Sequence, residues 1–349
     1  MATPSNRNEA GSHRGIAATD AVYELAEGIL WDDRASLVRW VDIWKGRVLS
    51  GTLHGERISD IRSVDLGQTA GAVALAEDGG LLVAAARGLA TVSSSSVVSF
   101  GPDLLGDRKN VRLNDGSVDP QGRFVVGTLS LAEETGCEVL MRVSPDGEVE
   151  TLRDGIRLSN GVAFSPDGAD IYHVDTFAGT VSRHSYGQGR FDLDESWVTV
   201  LEGLPAPPDG LTVDAEGALW VAQWGGSSVR RHSPTGELLD TVVVEAAQVS
   251  CAAFVGADLD VLAITTAQEG LEALTDQAEA IFIADVGTTG LPAPRWAGST
   301  TRPFWQHQQR REEGMRLVRV GPAGSETPGV LVDDDTFVDV SDANTAAVS

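Results

Sequence analysis

One hairpin is written into this chain several times. Residues 116–127 read GSVDPQGRFVVG, residues 161–174 read GVAFSPDGADIYHV, and residues 210–222 read GLTVDAEGALWVA. Each has a short apolar strand, a turn carrying Asp and Gly, and a second apolar strand. Asp suits such a turn because its side chain bonds the backbone just downstream, and Gly because it accepts positive φ. Weaker copies occur at 28–43 (GILWDDRASLVRWVDI), 71–86 (GAVALAEDGGLLVAAA) and 251–266 (CAAFVGADLDVLAITT). The six copies start 43, 45, 45, 49 and 41 residues apart. A period of that length, built from short strands, predicts an all-β chain folded as a six-bladed β-propeller. The propeller is expected over residues 21–300, after a flexible N-terminal tail (1–20) and before a C-terminal extension (301–349) that is partly disordered or packed on the propeller. Third and fourth strands are weaker in the sequence; GRVLSGTL (46–53), EVLMRVSP (138–145), TVSRHSY (180–186) and SVRRHSP (228–234) are examples. In the extension, RLVRVGP and GVLVDDD could form a short strand pair.

Composition narrows the partners. A net charge of −25 over 349 residues argues against nucleic acid and against anionic membrane surfaces. Two cysteines with no Cys-x-x-Cys give neither a disulfide framework nor a thiolate zinc site. The first twenty residues lack an apolar segment of signal-peptide type, and no apolar run approaches the roughly 18–20 residues that span a bilayer. The expectation is a cytoplasmic protein, monomer or weak dimer.

The first strand of each blade runs beside the propeller axis, so residues at equivalent strand starts converge at one end of the channel. Those starts carry Glu27, Asn114 with Asp115, Asn160 and Asp209, whereas blades two and six open on the small residues Ala70 and Ser250. Carboxylates and amides gathered on an axis form an all-oxygen set suited to a hard divalent cation, which would also relieve repulsion between Glu27 and Asp209. Read from spacing alone, the same residues serve equally well as turn and cap residues.

The strings AEGILWD, RLNDGSVDPQGRFVVGT, LSNGVAFSPDG and PDGLTVDAEGALWVAQWGG resemble the gluconolactonase/senescence marker protein 30 (regucalcin)/luciferin-regenerating enzyme family, in the family's order, across roughly residues 21–300. The resemblance implies a six-bladed propeller with one divalent cation (Ca, Zn, Mg or Mn) in its channel. It implies Glu27, Asn160 and Asp209 as metal ligands, Asp209 also as the catalytic base, and Arg112 and Asn114 as substrate-binding residues. Glu134 matches, in a looser register, the acid that relatives carry near the substrate. The activity implied is opening of a small-molecule sugar lactone. The alternatives are organophosphate hydrolysis on the same scaffold and a non-catalytic propeller that binds Ca²⁺ or a ligand. The stretch after Thr266 departs from the family pattern, which puts substrate preference in question. No Gly-x-Ser-x-Gly elbow or Walker-type loop is present.

Overall fold

The computed structural model describes residues 11–20, 23–132, 136–271 and 280–306 and three short strands beyond them. It is nearly all β, and six sheets form a six-bladed propeller. Blade one is Ala26–Asp32, Leu37–Asp42, Arg47–His54 and Arg57–Asp65, each strand antiparallel to the next. Blades two to five repeat the meander, with inner strands Ala70–Leu75, Val111–Val118, Ser159–Phe164 and Pro208–Val213. The inner strand of blade six is Gln248–Val255, and it contacts both its blade-five neighbour and blade one, so the ring closes.

Inner strands are packed by blades on both sides, so they read as apolar runs rather than as alternating patterns. Ala70–Leu75 is buried along its whole length, whereas Arg57–Asp65 at the rim buries only Ile58. The larger aromatics fill the seams. Trp31 and Trp40 pack with Val255 and Ile281 of blade six, and Trp220 meets Phe254 edge-on. The repeated turns are held as the sequence requires. Asp119 Oδ1 accepts from the backbone N–H of Gln121 (2.9 Å) and Arg123 (2.8 Å), and Gly122 sits at φ 78°. Asp214 does the same for Glu216 and Ala218.

Two parts of the chain differ from expectation. Residues 11–17, assigned to a flexible tail, are strands. Ile16–Ala17 is the outermost strand of blade six, antiparallel to Phe282–Asp285, and Gly11–Arg14 adds a fifth, parallel strand to blade five. Among the described residues blade six has three strands of its own, and an open edge would leave backbone donors and acceptors unpaired. Bonds from Ala18 N–H to Ile281 O (2.7 Å) and from Ile281 N–H to Thr19 Oγ1 (3.0 Å) continue the closure. Next, residues 287–301 form a strap across the propeller end that carries the Asp-Gly turns. Backbone bonds tie Thr289 to Ala215, Gly290 to Leu259, Trp296 to Leu75 and Glu77, and Ala297 to Gly122. Arg295, nearly buried, pairs with Asp32 (3.2 Å) and Asp33.

Residues 302–349 form a separate unit. Its described strands, Arg316–Val320, Thr327–Leu331 and Phe337–Asp339, make a three-stranded antiparallel sheet, one strand more than the pair the sequence suggested.

Candidate functional site

Every inner strand breaks register with its hairpin partner near its start. The irregularities fall between Glu27 and Leu30, Ala70 and Ala72, Leu113 and Gly116, Ser159 and Val162, Pro208 and Leu211, and Val249 and Cys251. A bulge re-aims the side chains at the break, which is how a buried strand can turn a polar group toward the axis. The glycines that follow have a steric reason. A Cβ on Gly161 would stand 2.7 Å from Asp209 O, and one on Gly210 2.7 Å from Ser250 O. Gly28 is at φ 56°, a conformation side chains disfavour. Polar residue and glycine are thus one device, in which the first supplies the chemistry and the second lets the next blade approach.

Glu27, Arg112, Asn114, Asp115, Asn160 and Asp209 are all buried in this ring. Asn160 Nδ2 donates to Asp209 Oδ1, in a close contact, and to Thr176 Oγ1 (3.3 Å). Glu27 Oε2 accepts from Gly28 N–H (2.9 Å), and Asp115 Oδ1 from Gly116 N–H (2.7 Å). Arg112 Nη1 donates to Asn114 Oδ1 (2.6 Å) and Leu113 O (3.0 Å), while Asn114 Nδ2 donates to Ser159 O (2.9 Å). Asn114, expected to bind substrate, thus also holds Arg112 in place. Blade two offers only Ala70 and Gly71 here, and Arg112 extends to stack 5.2 Å from the Trp44 ring of blade one. Ser250 of blade six turns its hydroxyl to Ala26 O (2.6 Å) and Thr265 (2.9 Å). Glu134 lies outside the described residues.

The ring is electrostatically unbalanced. Burial, then the charges of Asp209 and Asp115, hold the Glu27 pKa well above the usual carboxylate range. Burial and then Asp115 do the same to Asp209, against the opposing Asn160 N–H. Burial lifts Asp115 to about 6. Burial lowers Arg112 to about 10, with Glu269, Glu27 and Asp209 resisting, so it stays charged at neutral pH. Three ionised carboxylates against one guanidinium leave two negative charges, which a dication would cancel. Asn160 Oδ1, buried without a partner, is a further oxygen that a cation would satisfy. On both counts Glu27, Asn160 and Asp209 fit a divalent cation. Among the described residues no three His, Cys, Asp or Glu side chains are already grouped as ligands, and the expected set needs only two acids and an amide.

A pH dependence follows for the cation-free protein. Raised carboxyl pKa values mean that the folded state binds more protons than the unfolded chain, so stability is full below about pH 4 and falls as pH rises through the folded-state values. Asp115 alone, moved from 3.8 to about 6, corresponds to roughly 3 kcal/mol. With chelator present, the melting temperature should fall between pH 4 and 8, and saturating Ca²⁺ should remove most of that slope. A flat profile in chelator would show that the acids are not in conflict.

Below the acids the axis opens into a cavity of about 440 Å³, lined by Asp115, Val118, Leu211, Cys251 and Phe254 and reached by Leu291–Pro294 of the strap. Sequence reasoning did not assign roles to three residues near the acids. Asp115 stood in the motif beside Asn114, and its conflict with Glu27 and Asp209 needed coordinates to be seen. Trp44 and Glu269 lie in loops outside the repeated hairpin. Cys251 Sγ is buried close enough to the acids for their charge to raise its pKa, after burial itself.

Comparison with known proteins agrees with this fold. The family model described as the SMP-30/gluconolactonase/LRE-like region matches residues 25–268. The chain is 31% identical to a 6-deoxy-6-sulfogluconolactonase of Pseudomonas putida, covering 78% of this chain and 95% of the relative. It is 33% identical to a pentonolactonase of Haloferax volcanii, covering 78% and 94%. A crystal structure of a calcium-binding protein, regucalcin, from Agrobacterium tumefaciens superposes with a TM-score of 0.75 at 26% identity, over 82% of this chain and 98% of that one. The bulged ring of six inner strands and the matched span from Leu25 to Gln268, which holds Glu27, Arg112, Asn160 and Asp209, lead to one assignment: the chain belongs to the SMP-30/gluconolactonase/LRE-like family.

Proposed function

We propose that the protein is a divalent-cation-dependent hydrolase of sugar lactones. The observation that supports it most is the buried ring in which three carboxylates face one arginine and Asn160 keeps an unpartnered oxygen. Glu27, Asn160 and Asp209 would hold the cation. When bound, it supplies a Lewis acid for the ester carbonyl. The chain's own residues do the rest. Arg112, anchored by Asn114 and with its buried Nε lacking a partner, donates to the substrate and orients the ring. A water attacks the carbonyl carbon, and its proton passes to the Asp209 carboxylate. The acyl C–O bond then breaks, and that proton goes on to the released alkoxide. Asn160 Nδ2, donating to Asp209 Oδ1, holds that carboxylate in position for both transfers. That relatives named as lactonases share this span adds support.

The test is a panel of aldonolactones offered to chelated protein before and after addition of Ca²⁺, Mg²⁺, Mn²⁺ or Zn²⁺. At least one cation should raise turnover a hundredfold or more over the chelated sample. A panel hydrolysed no faster than in buffer, with melting temperature still raised by the cation, would instead mark a non-catalytic binding propeller.

A further inference from the structure

The mouth above the ring carries a side-chain arrangement that the family motifs do not cover. Trp44, in the loop after the second strand of blade one, donates its indole N–H to Glu269 Oε2 of blade six (2.9 Å). The same indole lies against the Arg112 guanidinium, 5.2 Å from ring centroid to Cζ. Gln248 Nε2 donates to the Glu269 carbonyl (3.2 Å), fixing the backbone of that loop. Glu269 itself is exposed, and Trp44 is 36% exposed, whereas Arg112 beneath is 4% exposed. Glu269 Oε1 accepts no hydrogen bond from the described residues. An arriving molecule therefore meets an acceptor-only carboxylate and an indole before it meets the guanidinium. The negative field of Glu269 also reaches Arg112 and Asp209.

That layout has a chemical preference. A sugar hydroxyl can donate to Glu269 while its carbon skeleton rests on the indole. A phosphate, sulfonate or second carboxylate on the same carbon cannot donate in its ionised form, and it meets like charge at close range. We propose that Glu269, held by Trp44, makes this site select uncharged polyhydroxylated lactones and reject those bearing an anionic exocyclic group. The proposal rests on the lactone-hydrolase reading and names its substrate class.

The experiment uses matched pairs on the cation-loaded full chain. Gluconolactone and 6-phosphogluconolactone give kcat/KM. The non-hydrolysable 1,5-anhydroglucitol and its 6-phosphate give Kd by calorimetry. The wild type should favour the uncharged member of each pair by about a hundredfold. Glu269→Gln should narrow that ratio about tenfold, with the change appearing in KM and Kd. Trp44→Phe, which keeps the apolar face and removes the N–H, should narrow it less. Added salt should erode the wild-type ratio more than that of Glu269→Gln. A wild type that takes both members equally, or an unchanged ratio in Glu269→Gln, overturns the proposal. The calorimetric pair needs no turnover, so discrimination without hydrolysis would retain Glu269 as the selector and remove only the hydrolase reading.

Discussion

Asp209→Asn should lower kcat/KM for lactone hydrolysis at least a thousandfold while making the cation-free protein more stable. Both effects arise from one side chain. The carboxylate would serve as a cation ligand and as the proton acceptor, and removing both functions costs about 4 kcal/mol or more of transition-state stabilisation. In the cation-free protein the same carboxylate is buried beside Asp115, with Asn160 as its hydrogen-bond partner. An amide of the same shape removes one like charge from the ring and can still accept from Asn160. At pH 8 in chelator the variant should melt a few degrees above wild type, in line with roughly 1–2 kcal/mol. Added Ca²⁺ should then raise its melting temperature far less than it raises that of wild type. Calorimetry with and without chelator, beside initial rates, measures all three. A variant that hydrolyses lactones normally, or that loses stability in chelator, contradicts the assignment of Asp209.

The second large effect concerns stability. Deleting residues 1–17 should destabilise the protein by about 3–6 kcal/mol, counting roughly 1 kcal/mol for each backbone bond lost. The deletion strips the outer strand from blade six, where Ile16 pairs with Ile283 and Ala17 with Phe282, and the parallel fifth strand from blade five. It also exposes two sheet edges, so the truncated chain should associate at concentrations where wild type does not. Denaturant melts and light scattering check both outcomes. A truncated chain with unchanged midpoint would mean that the three strands of blade six close the ring unaided.

These cases also show which parts of the molecule the sequence discloses. The inner hairpins are legible because each is local: Asp119 or Asp214 and the glycine after it fold the turn with bonds spanning four residues or fewer. Rim strands are harder to read because solvent, not packing, selects their residues, as Arg57–Asp65 illustrates. Ile16–Ala17 could not be read, since two residues carry no period and their partner lies more than 260 positions downstream. The strap could not be read either, because its backbone bonds go to five separate partners rather than to one strand. At the candidate site the polar residue ahead of a glycine was a usable signal, since the bulge that aims it requires that glycine. Asn114 was legible from its motif as a polar residue of the site, but its bonds to Arg112 and Ser159 O needed coordinates to be seen. Trp44 and Glu269 meet only because the ring brings the loops of its first and last blades together, a relation that hairpin spacing does not encode.

The strap has a mechanical consequence. Its bonds reach Asp32 of blade one, Leu75 and Glu77 of blade two, Gly122 of blade three, Ala215 of blade five and Leu259 of blade six. One short segment thus cross-links five of the six blades beside the axial cavity, so loosening it would slacken the whole ring and not a single sheet.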